Sequence, residues 1–564
     1  MKKLLISIFT LFLFTFCSKL GADKEPDFSK LDTPKEIELV SIPYTLQTAA
    51  ITKVSYDNGY SIKSGDKLHI TGTDRSDISG YLEYDDVNNE WSGDLWYNPD
   101  TETGGGVLVR INEDPNNATP LTVTLVHAGN DDESTYAHSV AGTFTEAVEY
   151  YSLLEGDILF GEDAVTLHQK GCFINASINF RFIGVGYMPV GQTSVDVVVG
   201  TDTLATGKAT FTSTGETNVY NSTFVIVVPG GTELTAGDSF VSICDRNVPI
   251  RETTSVTLVA NKSYNISRTY DFKPELGDPY WSDGTYGRIE HQEGTVVVGI
   301  IVFVNNYDDN DNSDLANTAR ALTEKDYGYG HALVMSLNNA ASDVKWRNKA
   351  SQQTNSTTYI TSPAQTLVAA NVSGYHNSSL LAGCTSVDYA LNYRSGDTHL
   401  GSDSGWFLPT IGQWIYSIST RGFGGADPVE TWIATDKKNW LANGQLSNLV
   451  GVMKSTSSEN ALVLSLNNRM EVLKQHLGCD YDAFGMSQWA YNDKGVWTFF
   501  YGDNYWTSSE NDASKAIRMN FGSMETINGQ LYSTIKTATL SKSSSNPGGY
   551  YAFCIMKVRP FLAF

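Results

Sequence analysis

Short segments of alternating apolar and polar residues fill the chain between about residues 28 and 272, separated by clusters of Gly, Asn, Asp, Ser and Thr. The alternation is regular at residues 121–126, 194–199 and 256–259. A period of two residues between turn-forming clusters is typical of antiparallel strands in β-sandwiches. A stretch of about 245 residues exceeds one ordinary sandwich, so we predict two, over residues 28–149 and 150–274.

The pattern changes after residue 275. Apolar residues three and four positions apart predict a helix over residues 460–477 that ends at Gly478. They are Leu462, Val463, Leu466, Met470, Leu473 and Leu477. A second helix is predicted over 410–418, after Pro409, and strands are predicted at 295–304 and 555–564. The predicted fold is therefore mainly β: two β-sandwich domains followed by an α+β domain over residues 275–564.

The first 17 residues differ from everything that follows. Lys2 and Lys3 precede an apolar run that ends at Cys17. As a helix this run would be about 20 Å long, shorter than the roughly 30 Å of a membrane core, so an export signal is predicted rather than a permanent span. The segment resembles a bacterial lipoprotein signal, which implies that Cys17 is lipidated. An ordinary signal peptide with an incidental cysteine stays open as the alternative.

Charge and composition exclude two classes of protein. The chain has 39 Lys plus Arg against 63 Asp plus Glu, a net charge of −24 that repels a phosphate backbone, so nucleic acid is excluded as a partner. Apolar residues make up 41% and aromatic residues 12%, which is too much for a disordered polymer. No later stretch is long enough to span a membrane, so we expect membrane attachment only through the N-terminal lipid.

The cysteines are too far apart for a metal site or a disulfide scaffold. Cys172 and Cys244 are a candidate pair, and buried free thiols are the alternative that we favour.

One acidic loop resembles the start of a calcium-binding loop at Asp309, Asp311 and Ser313. Asp314 stands where Gly is needed and Arg320 where the bidentate Glu is needed, so we predict a solvated turn and no metal site.

Catalytic signals are absent from the sequence. Neither 401–405 nor 237–239 forms a nucleophile elbow, and no phosphate-binding, dinucleotide-binding or zinc pattern occurs. We therefore predict no enzymatic activity and no cofactor. Exposed Trp faces suit sugar rings, but Trp is buried by default, so no ligand-binding residue is predicted.

The first half resembles the Bacteroidales-type fimbrillins. A turn and Gly65-Asp66 precede a strand at 67–70, a Tyr-rich strand follows at 80–84, and Trp91 precedes another strand at 95–97. The resemblance implies two tandem sandwiches on a lipoprotein precursor that assembles with other fimbrial subunits by strand exchange. In that family a trypsin-like protease removes an N-terminal strand after an Arg. Here the first Arg is Arg75, so Lys30 or Lys35 must substitute, or the strand stays.

The second half carries four short motifs in order. They are Ser404-Gly405-Trp406-Phe407-Leu408-Pro409, Tyr505-Trp506-Thr507-Ser508-Ser509-Glu510, Ala516 to Phe521, and Val558-Arg559-Pro560. The set, with Tyr280-Trp281 upstream, resembles extracellular modules related to C-type lectin-like and sulfatase-modifying-factor folds. We predict that these motifs are packing devices rather than ligand contacts.

The order of the domains yields a functional hypothesis. In strand exchange a repeating subunit supplies a strand, commonly from its C-terminal segment, but here residues 557–564 are predicted to close their own domain. We therefore predict a fimbrial tip subunit or adhesin at the outer membrane or fimbrium, on the extracellular face, whose C-terminal domain binds a glycan or protein. The alternative is a lipid-anchored surface binding protein that does not polymerise.

Overall fold

The computed structural model describes most of the chain from residue 40 onward. The described residues are 40–43, 60–97 apart from 61, 74–77 and 89, 107–109, 120–159, 164–184, 192–347 apart from 217, 245, 252 and 288–293, 359–360, 365, 371–397, 403–418, 449–455, 461–485, 488–491, 497–500, 503–527, 530–544 and 556–564. They divide into two compact units. The first takes in the described residues up to 179 together with 192–212 and 221–270, and the second takes in the rest.

The fold is mainly β, as predicted. The strands up to residue 272 are β1 (Val40–Pro43), β2 (Lys67–Gly72), β3 (Ile78–Asp85), β4 (Glu90–Tyr97), β5 (Val107–Val109), β6 (Pro120–Val126), β7 (Ser139–Ala141), β8 (Leu154–Leu159), β9 (Ala164–Gln169), β10 (Gly171–Phe182), β11 (Gln192–Val199), β12 (Asp202–Ser213), β13 (Val219–Pro229), β14 (Glu233–Leu234), β15 (Ser239–Ile243), β16 (Arg246–Arg251), β17 (Val256–Thr257) and β18 (Ser263–Phe272). The α-helix α1 (Phe144–Tyr151) lies among them and is capped by Thr143.

These strands form two eight-stranded sheets and one short pair. The first sheet has the order β1-β9-β8-β6-β2-β3-β4-β5, and the second has the order β16-β15-β11-β12-β7-β13-β10-β18. The chain crosses between the sheets more than once near residue 150, because β7 belongs to the second sheet whereas the later β8 and β9 belong to the first. The domain boundaries predicted at 149/150 and at 274/275 stay predictions.

The core of the first unit follows from the alternation seen in the sequence. In β2 and β6 every second side chain is buried, including Leu68, Leu121 and Val123. Phe173 from β10 and Val227 from β13 pack in the same cluster. Residues of both sheets therefore share one hydrophobic core.

A buried histidine lies within this core. His127 is fully buried, and its ring makes edge contacts with Tyr60 at 4.7 Å and with Tyr136 at 4.8 Å between ring centroids. Its Nε2 lies 2.7 Å from the backbone oxygen of Ser152, which can only accept, so Nε2 carries the proton. Its Nδ1 has no hydrogen-bond partner among the described residues. Burial lowers the pKa of His127 to about 4.

The second unit mixes strands and helices. Its strands are β19 (Pro279–Trp281), β20 (Val297–Val304), β21 (Ala332–Ser336), β22 (Ala341–Ser342), β23 (Leu449–Ser455), β24 (Gln488–Tyr491), β25 (Trp497–Phe500), β26 (Asn504–Glu510), β27 (Lys515–Ile527), β28 (Gln530–Ser541), β29 (Met556–Val558) and β30 (Phe561–Ala563). Its helices are α2 (Asp314–Leu322), α3 (Gly374–Leu380), α4 (Thr385–Leu391), α5 (Ile411–Ile418) and α6 (Ala461–Leu477). Both helices predicted from the sequence occur, as α5 and α6, and Gly478 ends α6 with φ +68°.

Two larger sheets organise the second unit. One has the order β19-β20-β21-β30, and the other has the order β22-β29-β26-β27-β28-β23. The prediction of one strand over 555–564 is therefore wrong, because this segment forms two strands, β29 and β30, which belong to different sheets. The break falls at Arg559 and Pro560, where proline lacks the N–H needed to continue a ladder.

We predict that acid destabilises the first unit through His127. The folded unit keeps the imidazole neutral, whereas the unfolded chain takes up a proton near pH 6.5. The free energy of unfolding should therefore fall as the pH drops from about 6.5 to about 4, by at most about 3 kcal/mol, and level off below that. Denaturant titrations at several pH values measure this slope.

The control is His127→Gln, which removes the titrating group. Burial raises the pKa of the neighbouring Asp66, so that carboxyl opposes the effect, and it does so equally in both proteins. The same slope in wild type and variant would contradict the assignment to His127.

Candidate functional site

The strand β30 is paired along both edges inside the second unit. On one edge it is antiparallel to β21, with Phe561 opposite Met335 and Ala563 opposite Leu333. On the other edge Phe561 and Phe407 exchange backbone hydrogen bonds of 2.9 and 2.8 Å. Since both edges are occupied, β30 has no free row of backbone groups to offer to another chain.

Ser404 extends this second edge toward the end of the chain. Its backbone N–H donates to the oxygen of Ala563 at 2.9 Å, and its hydroxyl accepts from the N–H of Ala563 at 2.9 Å. The Ser-Gly-Trp-Phe-Leu-Pro motif is thus a partner of the C-terminal strand. The local sequence contained no sign of this pairing, because the two segments lie more than 150 residues apart.

The residue after β30 is held by both backbone and ring contacts. The backbone oxygen of Phe564 accepts from the N–H groups of His331 at 2.7 Å and Ala332 at 3.1 Å. Its ring stacks on Tyr280 at 5.5 Å and on Tyr286 at 5.2 Å between centroids. Tyr280 in turn donates its hydroxyl to Asp403 at 2.6 Å, and burial raises its pKa well above the ordinary value.

Arg559 anchors the turn between β29 and β30. The residue is fully buried, and its guanidinium donates to the backbone oxygen of Asp482 at 2.6 Å and to the side chain of Asn339 at 3.1 Å. It also lies 4.3 Å from the centroid of the Phe484 ring, a cation–π contact. The Val-Arg-Pro motif therefore fixes the direction of the last strand.

The remaining motifs are also buried. Trp414 and Trp506 are fully buried, and the ring centroids of Trp414 and Phe561 are 4.8 Å apart. Glu510, the last residue of the Tyr-Trp-Thr-Ser-Ser-Glu motif, forms a fully buried ion pair with Lys542. These positions agree with the prediction that the four motifs pack the domain. Lys542 was missed, since nothing in its local sequence marks it as buried.

The acidic loop before α2 is organised by a side chain. Arg320 donates to the backbone oxygens of Asp308, at 3.1 Å, and Asp311, and to the side chain of Asn317 at 2.8 Å. Hydrogen bonds from Ser313 lower the pKa of Asp311. A guanidinium thus supplies the positive charge that a Ca²⁺ ion would bring. Within the described residues, no group of three or more His, Cys, Asp or Glu side chains could hold a metal ion.

Four cysteines are described, and all are buried. Cys172 donates to the backbone oxygen of Val228 at 3.3 Å, and Cys244 contacts Thr193 rather than Cys172. The candidate pair is therefore not formed. Cys17, the predicted lipidation site, lies outside the described residues, as do Lys30 and Lys35.

At the other end of the chain, β1 lies at the edge of the first sheet. It pairs with β9, with Val40 opposite Leu167 and Pro43 opposite Ala164. It is the first described element, and residues 44–59 separate it from the next described residue. Across the described helices, none has the length and apolar character needed to cross a membrane.

Comparisons with known proteins give weak structural likeness. No protein-family model matches the sequence, and no curated protein matches it. A solved candidate cell adhesion protein from Bacteroides uniformis is similar over 42% of this chain and 94% of its own, with 12% identity and a TM-score of 0.19. The major pilin of Streptococcus pyogenes is similar over 37% of this chain and 91% of its own, with 10% identity and a TM-score of 0.11. At TM-scores this low, the likeness supports no conclusion about the function of this chain.

We predict that the side chains of β30 are integral to the stability of the second unit. Phe561→Ala should lower the free energy of unfolding by about 3–5 kcal/mol, because it leaves a cavity beside Trp414. The matched control is Leu315→Ala in the same unit, where the side chain is 42% exposed and the expected cost is about 0.5 kcal/mol or less. Chemical denaturation measures the free energy of unfolding of both variants. Equal losses would contradict the conclusion that β30 is part of the core of its own unit.

We predict that Ca²⁺ does not stabilise the acidic loop. The melting temperature should be the same with Ca²⁺ and with chelator, because the Arg320 guanidinium already occupies the backbone oxygens of Asp308 and Asp311. Arg320→Ala should cost about 2 kcal/mol through lost charge-assisted hydrogen bonds. A melting temperature of the wild type that rises with Ca²⁺ would refute this interpretation.

Proposed function

We propose that this protein is a cell-surface adhesin that ends a fimbrial filament, with its C-terminal unit left to contact a glycan or protein ligand. One observation carries the proposal: both edges of β30 are paired within its own unit. A repeating subunit joined by β-augmentation must accept a strand and also supply one. A subunit in which β30 is committed to its own sheet cannot supply that strand, so growth of the filament would stop there.

The accepting edge would be that of β9. Because β1 is the outermost strand of its sheet, its removal would expose the backbone N–H and C=O groups of β9 opposite Val40–Pro43. Another fimbrial subunit could then add a strand to this edge. Cleavage after Lys30 or Lys35 would leave β1 in place, since both lysines precede it. Lys53 is the first basic residue after β1, so we infer that productive cleavage occurs there.

A second function is a lipid-anchored surface protein that keeps β1 and does not polymerise. It is favoured by the lack of any Arg before Arg75 and by the position of Lys30 and Lys35 ahead of β1. In both functions the protein acts by binding, without catalysis or a cofactor. In the anchored form, a lipid on Cys17 would provide the membrane attachment, at the outer membrane on the extracellular side. In the terminal subunit, cleavage after Lys53 would remove Cys17 together with its lipid.

Gold-labelled antibodies on isolated filaments test the first function. A terminal subunit should give a single label at filament ends. Labels repeated along the shafts would refute the terminal position, because each subunit within a shaft must supply a strand to its neighbour.

The two functions are separated by N-terminal sequencing and mass measurement of the protein from its native cells. Mature protein that begins after Lys53, and a Lys53→Gln variant that no longer enters filaments, would support the terminal subunit. Lys35→Gln is the matched control and should behave as wild type. Mature protein that begins at a lipidated Cys17 and is absent from filaments would support the anchored form instead.

A further inference from the structure

Four partly exposed rings lie together on the second unit, and we refer to them as the aromatic surface: Tyr327, Tyr329, Tyr375 and His376. Tyr327 is 43% exposed and stacks on His376, with ring centroids 5.7 Å apart and an interplanar angle of 18°. The edge of Tyr375 meets Tyr327 at 5.3 Å and Tyr329 at 5.7 Å. Tyr375 also contacts the fully buried Phe407 at 6.3 Å, so the cluster extends from solvent to the core.

A single buried carboxyl group, whose pKa is raised by burial to about 8, holds the two segments that carry these rings. Glu324 is 1% exposed and directly precedes the turn of Lys325–Tyr327. It accepts hydrogen bonds from the Ser373 hydroxyl and from the N–H of Tyr375, the latter at 3.1 Å. Ser373 also caps α3 by accepting from the N–H of His376 at 3.1 Å. The backbone that carries Tyr375 and His376 is therefore fixed relative to Tyr327.

The Glu324 side chain is built into the core rather than left at the surface. Gln413 of α5 donates to it at 3.0 Å and also donates to the backbone oxygen of Leu322 at 3.1 Å. Glu324 adopts a left-handed backbone conformation, with φ 59° and ψ 36°, which is uncommon for a residue other than glycine. A conformation of this kind persists only where surrounding contacts hold it, and such positions cluster at binding sites.

Charge restricts what the aromatic surface can bind. Lys325 is paired with Asp309 at 3.3 Å, which leaves the exposed Asp326 as an unbalanced negative charge at the rim. Anionic ligands are therefore disfavoured. A small ligand that has an apolar face and hydroxyl groups and carries no negative charge fits such a surface.

We propose that the aromatic surface is a binding site for neutral saccharides, with a sugar ring packed on Tyr327 and its hydroxyls bonded to polar groups at the rim. Aromatic side chains with a few placed polar groups are the usual composition of such small-ligand sites. The proposal deepens the adhesin function, because it assigns the ligand contact of the C-terminal unit to named residues. The two ring-bearing segments are about 50 residues apart in the chain.

Affinity electrophoresis of the full chain tests this site. Gels containing mannan, dextran or galactan serve as neutral probes, and a gel containing heparin serves as the anionic probe. At least one neutral gel should retard the wild type, and heparin should not. Tyr327→Ala should weaken the affinity roughly tenfold through the lost ring contact, and His376→Ala should weaken it in the same gel.

The matched control is Tyr389→Ala on α4, since this tyrosine is 46% exposed in the same unit but outside the aromatic surface. It should bind as wild type. The proposal is overturned if no neutral gel retards the protein, if only heparin does, or if Tyr327→Ala binds unchanged. Gold labelling of filaments that contain Tyr327→Ala distinguishes the saccharide site from the terminal position. If the variant still labels filament ends but no longer binds saccharide, the terminal position is supported independently of the saccharide site.

Discussion

Pairing of β30 along both edges is the constraint on which the second unit depends. An extended segment offers hydrogen-bonding groups on two sides, and a strand available to another chain must keep at least one side free. Here β21 occupies one side, and the segment from Ser404 to Phe407 occupies the other. Burial of Phe561 and Phe564 adds hydrophobic stabilisation to this pairing. Withdrawal of the strand would therefore open the core as well as the sheet.

Buried ionisable groups inside the second unit decide where its long connections lie. Arg559 orients the turn before β30, Lys542 after β28 pairs with Glu510 of β26, and Glu324 joins the segments around α3. A buried charge that loses its partner costs several kcal/mol, so the contacts of Arg559 and of the Lys542–Glu510 pair tolerate few alternative arrangements. The aromatic surface benefits from this restriction, because its rings sit on backbone that Glu324 already holds. Rigid aromatic groups bind with a smaller loss of conformational entropy.

The local pattern predicted several elements well. The stripe of apolar residues before Gly478 corresponds to α6, and the alternation at 121–126 corresponds to β6. The acidic loop was partly predictable, since Arg320 was recognised as unsuitable for a calcium ligand. That its guanidinium would bond the loop from within could not be predicted, because the contact depends on how α2 folds back on the preceding residues. The single strand predicted at 555–564 failed because periodicity does not reveal which sheet each half joins.

By itself the sequence determined the mainly β character of the chain, the change to mixed structure after residue 275 and the burial of the Trp-containing motifs. These properties follow from residue type and from periods of two or about 3.6, which any short window contains. Only the tertiary structure decided that Ser404 pairs with Ala563, that β1 borders β9 and that Tyr327 meets Tyr375. Periodicity tells which face of an element is buried, whereas the partner on that face is chosen by packing among segments far apart in the chain.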